Sequence, residues 1–127
     1  MDFPVVEDEV GNYLFNAEQI KCRCGCGYRV DYAPLLVKLG TAQLNAGFSF
    51  NINSWCRCYN HNRDVGGSET SSHRKGYAVD IETKNNWYRY KILHALFQAG
   101  FKRIGIGKNY IHADVDPNKG EMIIWLY

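Results

Sequence analysis

Apolar positions along the chain change period several times, and each change marks an element. Over 33–46, Leu35, Leu36, Leu39 and Leu44 recur near one helical face, Pro34 suits a first turn and Gly47 supplies a stop, which predicts a helix. Gly40 in its middle works against it. In FSFNINSW, Phe48, Phe50 and Ile52 alternate with polar residues, the mark of a half-buried strand. Residues 60–76, NHNRDVGGSETSSHRKG, are polar and glycine-rich and predict an irregular loop. A second strand is expected over 77–82. A helix follows over 86–99, capped by Asn85 or Asn86, with Ile92, Leu93, Leu96 and Phe97 on its apolar face and Gly100 at its end. Two short strands, 103–106 and 110–115, flank a GKN turn, and a last strand spans 121–126. The layout is α+β: a small, mainly antiparallel sheet with helices packed on one face.

Length and composition narrow the setting. A chain of 127 residues, 46% hydrophobic and without repeats or a Pro- or Ser-rich linker, reads as one domain over 1–127. A net charge of +2, from 15 Lys and Arg against 13 Asp and Glu, argues against a nucleic-acid binder. No stretch approaches the ~20 apolar residues of a membrane span. The opening MDFPVVEDEVG is acidic and lacks an apolar run of leader length, so synthesis in the cytoplasm without a signal peptide is expected. Five cysteines fall in two clusters, KCRCGCG with Cys22, Cys24 and Cys26, and WCRCYN with Cys56 and Cys58. Their odd number argues against a fully paired disulfide framework and leaves buried thiols, a metal clip or a conditional disulfide. The Cys-x-Cys spacing, where ordinary zinc ribbons use Cys-x-x-Cys, weighs against a structural zinc.

The densest chemistry lies in SSHRKGYAVDI and YIHADV. Alternation in the first places Gly76, Ala78 and Asp80 on one face and Tyr77, Val79 and Ile81 on the other, so Asp80 is the one charge among very small residues, with space above it. In the second, Tyr110, His112 and Asp114 share a face while Ile111, Ala113 and Val115 turn to the core. If the two strands are neighbours, His112 and Asp80 converge with His73 from the loop. Two imidazoles and a carboxylate leave one tetrahedral position for water, the donor set of a catalytic zinc. Such an ion lowers the pKa of its water to about 7 and polarises a carbonyl.

These residues also carry a resemblance. SxHxxGxAxD, over 71–80, resembles the first metal motif of the zinc D-Ala-D-Ala carboxypeptidases and L-alanyl-D-glutamate endopeptidases, a group with the hedgehog-like fold. SWCRCYNHNRDVGGS is similar to the "SGYRCxxHNxxVGG" block of a small, often phage-encoded branch, AGFKRIGIG to its "GFxRIGI" and YIHADVD to its "FIHVDV". LFNAEQIKCRCGCG is similar to its N-terminal "F-x-x-x-E-F-x-C-x-C-G-C-G" segment. The resemblance implies one zinc on His73, Asp80 and His112, and a peptidoglycan stem peptide as substrate for a monomeric carboxypeptidase or endopeptidase. It implies that Arg57 lies in the substrate cleft, where a guanidinium fork fits a carboxylate two-handed. Because Cys58 matches a family position and Cys56 does not, the resemblance points to Cys58 as partner of one of Cys22, Cys24 and Cys26; a second zinc site on Cys22, Cys24, Cys26 and Cys58 is the less expected arrangement.

Two departures stand out. Many relatives carry a glutamate three residues before the last histidine as general base; here the position is Asn109, which cannot take a proton. Asp114, on the face of His112, is the nearest replacement as base, its other role being to orient a ligand histidine. Glu69 and Glu82 lie outside the matched motifs. Trp55 and Cys56 stand where the branch has Gly-Tyr. Ser71, Ser72 and Asn62 either bind substrate or shape the loop, and Tyr110 either stabilises an oxyanion or packs. The expected mechanism is attack by activated water without an acyl-enzyme. Action on the wall without a leader implies release with a phage lysis partner. Loss of the glutamate leaves a rival reading, a noncatalytic zinc domain that binds wall peptides or a phage or bacterial assembly. A second rival is a thiol-based metal or redox protein built on the cysteines.

Overall fold

A computed structural model of the protein describes residues 14–127; the acidic opening segment, on which the expectation about a leader rests, lies outside the described residues. In chain order the elements are α1 (Ala17–Ile20), α2 (Ala33–Ala46), β1 (Ile52–Ser54), α3 (Tyr59–Asp64), a 3-10 turn (Ser72–Lys75), β2 (Ala78–Glu82), α4 (Asn86–Gln98), β3 (Arg103–Ile106), β4 (Tyr110–Asp114) and β5 (Ile123–Leu126). The strands form one sheet in the order β1, β2, β4, β3, β5. Every pairing is antiparallel except β3 with β5, which is parallel. The fold is α+β with a mostly antiparallel sheet, as the apolar pattern predicts.

One face of the sheet carries Val79, Ile81, Ile104, Ile111 and Ala113, buried together with Leu35, Leu36 and Leu39 of α2 and Ile92, Ala95 and Leu96 of α4. Burying each such aliphatic side chain contributes about 1.5–3 kcal/mol, so this face holds most of the packing energy. It leaves the opposite face free for polar side chains. Helix α4 starts where expected, with Asn85 accepting from Tyr88 N, and α2 ends at Gly47 in the left-handed conformation. Among the described residues no helix is long and apolar enough to cross a membrane.

Four expectations need correction. Leu44 is 55% exposed, and Gln43 takes the inward position at 1% because its side-chain oxygen accepts from Phe50 N at 2.9 Å. That bond to a side chain, in place of a neighbouring strand, is why the strand expected over 48–55 shrinks to β1. Phe97 is likewise exposed and Ala95 buried in α4. The segment 60–76 is not wholly irregular: α3 is capped by Cys58, whose sulfur accepts from His61 N, and Ser71 caps the 3-10 turn. Neither short element has an apolar stripe, so periodicity could not show them.

Gly40 sits mid-helix, and a methyl group built there meets no atom within 4 Å. Gly40→Ala should raise unfolding free energy by about 0.5–1 kcal/mol, read as a higher midpoint in urea, because alanine loses less backbone entropy on folding.

Candidate metal centre

A single transverse row across the polar face assembles the site. Ser54 pairs with Asp80, Asp80 with His112, His112 with Gly105 and Gly105 with Trp125, so all five strands contribute one residue. His73 arrives from the 3-10 turn, which Gly76 closes with a φ of +74°; a Cβ there would lie 2.8 Å from that of Val30. The His73 carbonyl accepts from Arg57 N at 3.0 Å, tying this turn to the chain after β1.

Both ring tautomers are set by their surroundings. His73 Nδ1 lies 2.7 Å from the Trp55 carbonyl, which only accepts, so that nitrogen carries the proton and Nε2 presents its lone pair. His112 Nε2 lies 2.7 Å from Asp114 Oδ2, leaving Nδ1 as the lone-pair nitrogen. These two lone pairs point at Asp80 Oδ1 from 3.2 and 3.0 Å. Three acceptors crowded together repel unless a proton or a cation sits among them. The ligating atoms of His73, Asp80 and His112 all lie within 4.8 Å of one another, and two nitrogens with one oxygen suit zinc. The residues present therefore fit the ion that the donor set implies.

The titration tendencies have the same origin. Burial pushes His73 down, ahead of the opposing pull of Asp80. For Asp80 burial acts upward, but the pull of the His112 and His73 rings when these are protonated outweighs it and holds the carboxyl well below the usual range. For His112 burial acts downward, and its bonds to Asp114 and Asp80 outweigh it and raise the ring.

Asp114 shares the face of His112 but stands behind it, 2% exposed, with both oxygens engaged. Oδ2 accepts from His112, and Oδ1 accepts from Arg103 Nε at 2.8 Å and Asp116 N at 3.1 Å. That is the geometry of a group that orients a ligand, and it speaks against Asp114 as the proton acceptor. Arg103, absent from the sequence-based candidates, also lies over the Trp125 ring at 5.1 Å. Asn109 is exposed at the turn before β4, and its carbonyl accepts from Thr83 N.

In front of the centre opens a cleft of about 410 Å³, lined among others by Arg57, Ser71, His73, Asp80, Tyr110 and His112. Arg57 bonds Ser54 Oγ through Nε and Asn62 Oδ1 through Nη1, with Nη2 3.5 Å from Asp80 Oδ2. Ser71 Oγ accepts from His73 N, and Ser72 Oγ donates to Asp116, so both hydroxyls shape the loop. Glu69 and Glu82 are not among the residues lining this cleft. Sequence reasoning missed its aromatic wall: Trp125, tilted, and Tyr127, edge-on, pack beside His112, with ring centroids 5.4 and 6.4 Å away. The wall needs Gly105, where a Cβ would come within 2.6 Å of both rings. Alternation in β5 beside the GIG of β3 was the available signal.

A second thiol-rich group, Cys22, Cys24, Cys26 and Cys58, also gathers its sulfurs within 4.8 Å of one another and could hold a metal. Gly25 and Gly27, at φ of +85° and +86°, turn the segment, so the Cys-x-Cys spacing does not keep these sulfurs apart.

No curated protein matches the chain. In comparison with protein families, residues 13–116 match Peptidase M15, a family of zinc-dependent peptidases, with both histidines and Asp80 inside the matched span. The chain belongs to the Peptidase M15 family.

Proposed function

We propose that the protein hydrolyses a peptide bond in the stem peptides of bacterial peptidoglycan, as a carboxypeptidase or endopeptidase. The observation that carries the reading is the meeting of His73 Nε2, Asp80 Oδ1 and His112 Nδ1 at the floor of a polar cleft that also holds Arg57. A zinc ion on these atoms supplies an activated water and a Lewis acid for the scissile carbonyl. Trp55 and Asp114 hold the two imidazoles in the ligating tautomers. Arg57, braced by Ser54 and Asn62, grips a substrate carboxylate. The Tyr110 phenol, raised in pKa mainly by burial and then by the charge of Asp80, stays protonated and offers a donor to a substrate oxygen. The resemblance to a phage-type branch supports action on the wall during lysis.

One observation favours a second reading. Asn109 replaces the family's usual base, and both oxygens of Asp114 are engaged, which suits a noncatalytic zinc domain that binds wall peptides or a partner protein. Digestion of defined muropeptides with the zinc-loaded protein, followed by mass spectrometry, separates the two. Hydrolysis yields two fragments whose masses sum to that of the substrate plus one water, and a noncatalytic domain leaves every mass unchanged.

Arg57→Lys should raise KM roughly 10-fold to 100-fold with kcat changed less, since a charge-assisted hydrogen bond contributes about 1.5–3 kcal/mol. Steady-state kinetics on a muropeptide with a free carboxylate checks this.

A further inference from the structure

Among the described residues a second group of metal-ligating side chains lies where the two cysteine clusters meet. We propose that Cys22, Cys24, Cys26 and Cys58 bind a second, structural metal ion of the zinc class in an all-thiolate tetrahedral site, and that this ion braces the segment positioning His73 and Arg57. The inference does not depend on peptidase activity.

Three observations carry it. The first is distance: Cys24 Sγ lies 3.4 Å from Cys22 Sγ and 3.7 Å from Cys58 Sγ, and all four sulfurs fall within 4.8 Å of one another. Zinc–sulfur bonds of ~2.3 Å put the edges of a tetrahedron at about 3.8 Å, so small adjustments seat an ion. A disulfide needs sulfurs ~2 Å apart and joins them in pairs, whereas Cys24 has two near neighbours at similar range. The second is backbone support. Cys58 N donates to Cys22 Sγ at 3.4 Å, Tyr28 N to Cys26 Sγ at 3.4 Å and His61 N to Cys58 Sγ at 3.3 Å. Amide donors aimed at sulfur favour its anionic, ligating form. The third is selectivity within the cysteine set. Cys56 is fully buried, and its sulfur contacts the backbone of Val30, which makes it a core residue outside the cage. The odd count resolves into four ligands and one packed thiol.

The cage grips the site through its neighbours. Cys58 follows Arg57 directly, the Trp55 carbonyl three residues earlier holds His73 Nδ1, and Cys56 N donates to Ile20 O beside Cys22. Soft thiolates select zinc over hard cations, and with four protein ligands no position stays open for substrate, so the ion is structural.

The double variant His73→Ala/His112→Ala of the full chain removes the other centre and leaves the thiols intact. Purified with zinc under reducing conditions and dialysed, it should retain one equivalent of zinc by elemental analysis. Its cobalt-substituted form should show intense near-ultraviolet thiolate charge transfer. The unmodified protein, which needs no folding assumption, should react with iodoacetamide at Cys24 and Cys26 much faster once a strong chelator is present. Retention of no metal, a cobalt spectrum without thiolate charge transfer, or alkylation rates indifferent to chelator would overturn the proposal. So would disulfides among the four cysteines in the metal-treated protein.

Discussion

His112→Ala should abolish high-affinity zinc binding at the histidine centre and lower kcat/KM on stem peptides by roughly a thousandfold or more. The magnitude follows from losing several kcal/mol of Lewis-acid stabilisation, at about 1.4 kcal/mol per factor of ten. Two donors remain after the change, His73 Nε2 and Asp80 Oδ1, and two ligands do not hold zinc in a catalytic geometry. The sheet should survive, because His112 stands on the polar face while its neighbours Ile111 and Ala113 fill the core. Circular dichroism should stay unchanged while zinc affinity, measured by competition with a chromogenic chelator, collapses. Full activity in the variant would sink the assignment of the centre.

Asp114 is the second residue where a large effect is expected, and its two roles predict different signatures. As the orienting partner of His112, its replacement by alanine should weaken zinc affinity by about 10-fold to 100-fold. It should also destabilise the metal-free protein by about 3 kcal/mol, because Arg103, only 13% exposed at its side chain, loses the carboxylate it is paired with at 2.8 Å. Asp114→Asn, which keeps the volume, separates positioning from proton transfer. A positioning role shows as weaker zinc binding that excess zinc partly rescues. A base would show as a drop in kcat at unchanged zinc affinity, with the acidic limb of the pH profile altered. The engaged oxygens of Asp114 favour the first outcome.

Much of the centre was legible in the chain because alternation in a strand is a strict geometric rule. Asp80 and His112 needed only their parity within AVDI and YIHAD to be placed on one face, and the in-register pairing of β2 with β4 sets them side by side. Less could be seen of what depends on contacts between distant backbone atoms. The Trp55 carbonyl behind His73 has no side-chain signature, and the inward turn of Gln43 depends on where Phe50 N lies. Arg103 carries no signal in the sequence for its role, which depends on β3 lying beside β4 and bringing its guanidinium to Asp114. The parallel placement of β5 escaped for a related reason: periodicity gives the faces of a strand but not its direction. In the thiol cluster the Cys-x-Cys spacing does not reveal that the sulfurs gather, since left-handed Gly25 between Cys24 and Cys26 and left-handed Gly27 after them turn the chain.

The transverse row through Ser54, Asp80, His112, Gly105 and Trp125 makes chelation a proofreader of strand alignment. Sliding β4 by one position would aim Ile111 at Asp80 and drive the imidazole of residue 112 into oil, so a misaligned chain has nothing to offer an ion. Mass action then favours the correctly threaded molecule over its near misses, and the more zinc is at hand, the wider that gap becomes.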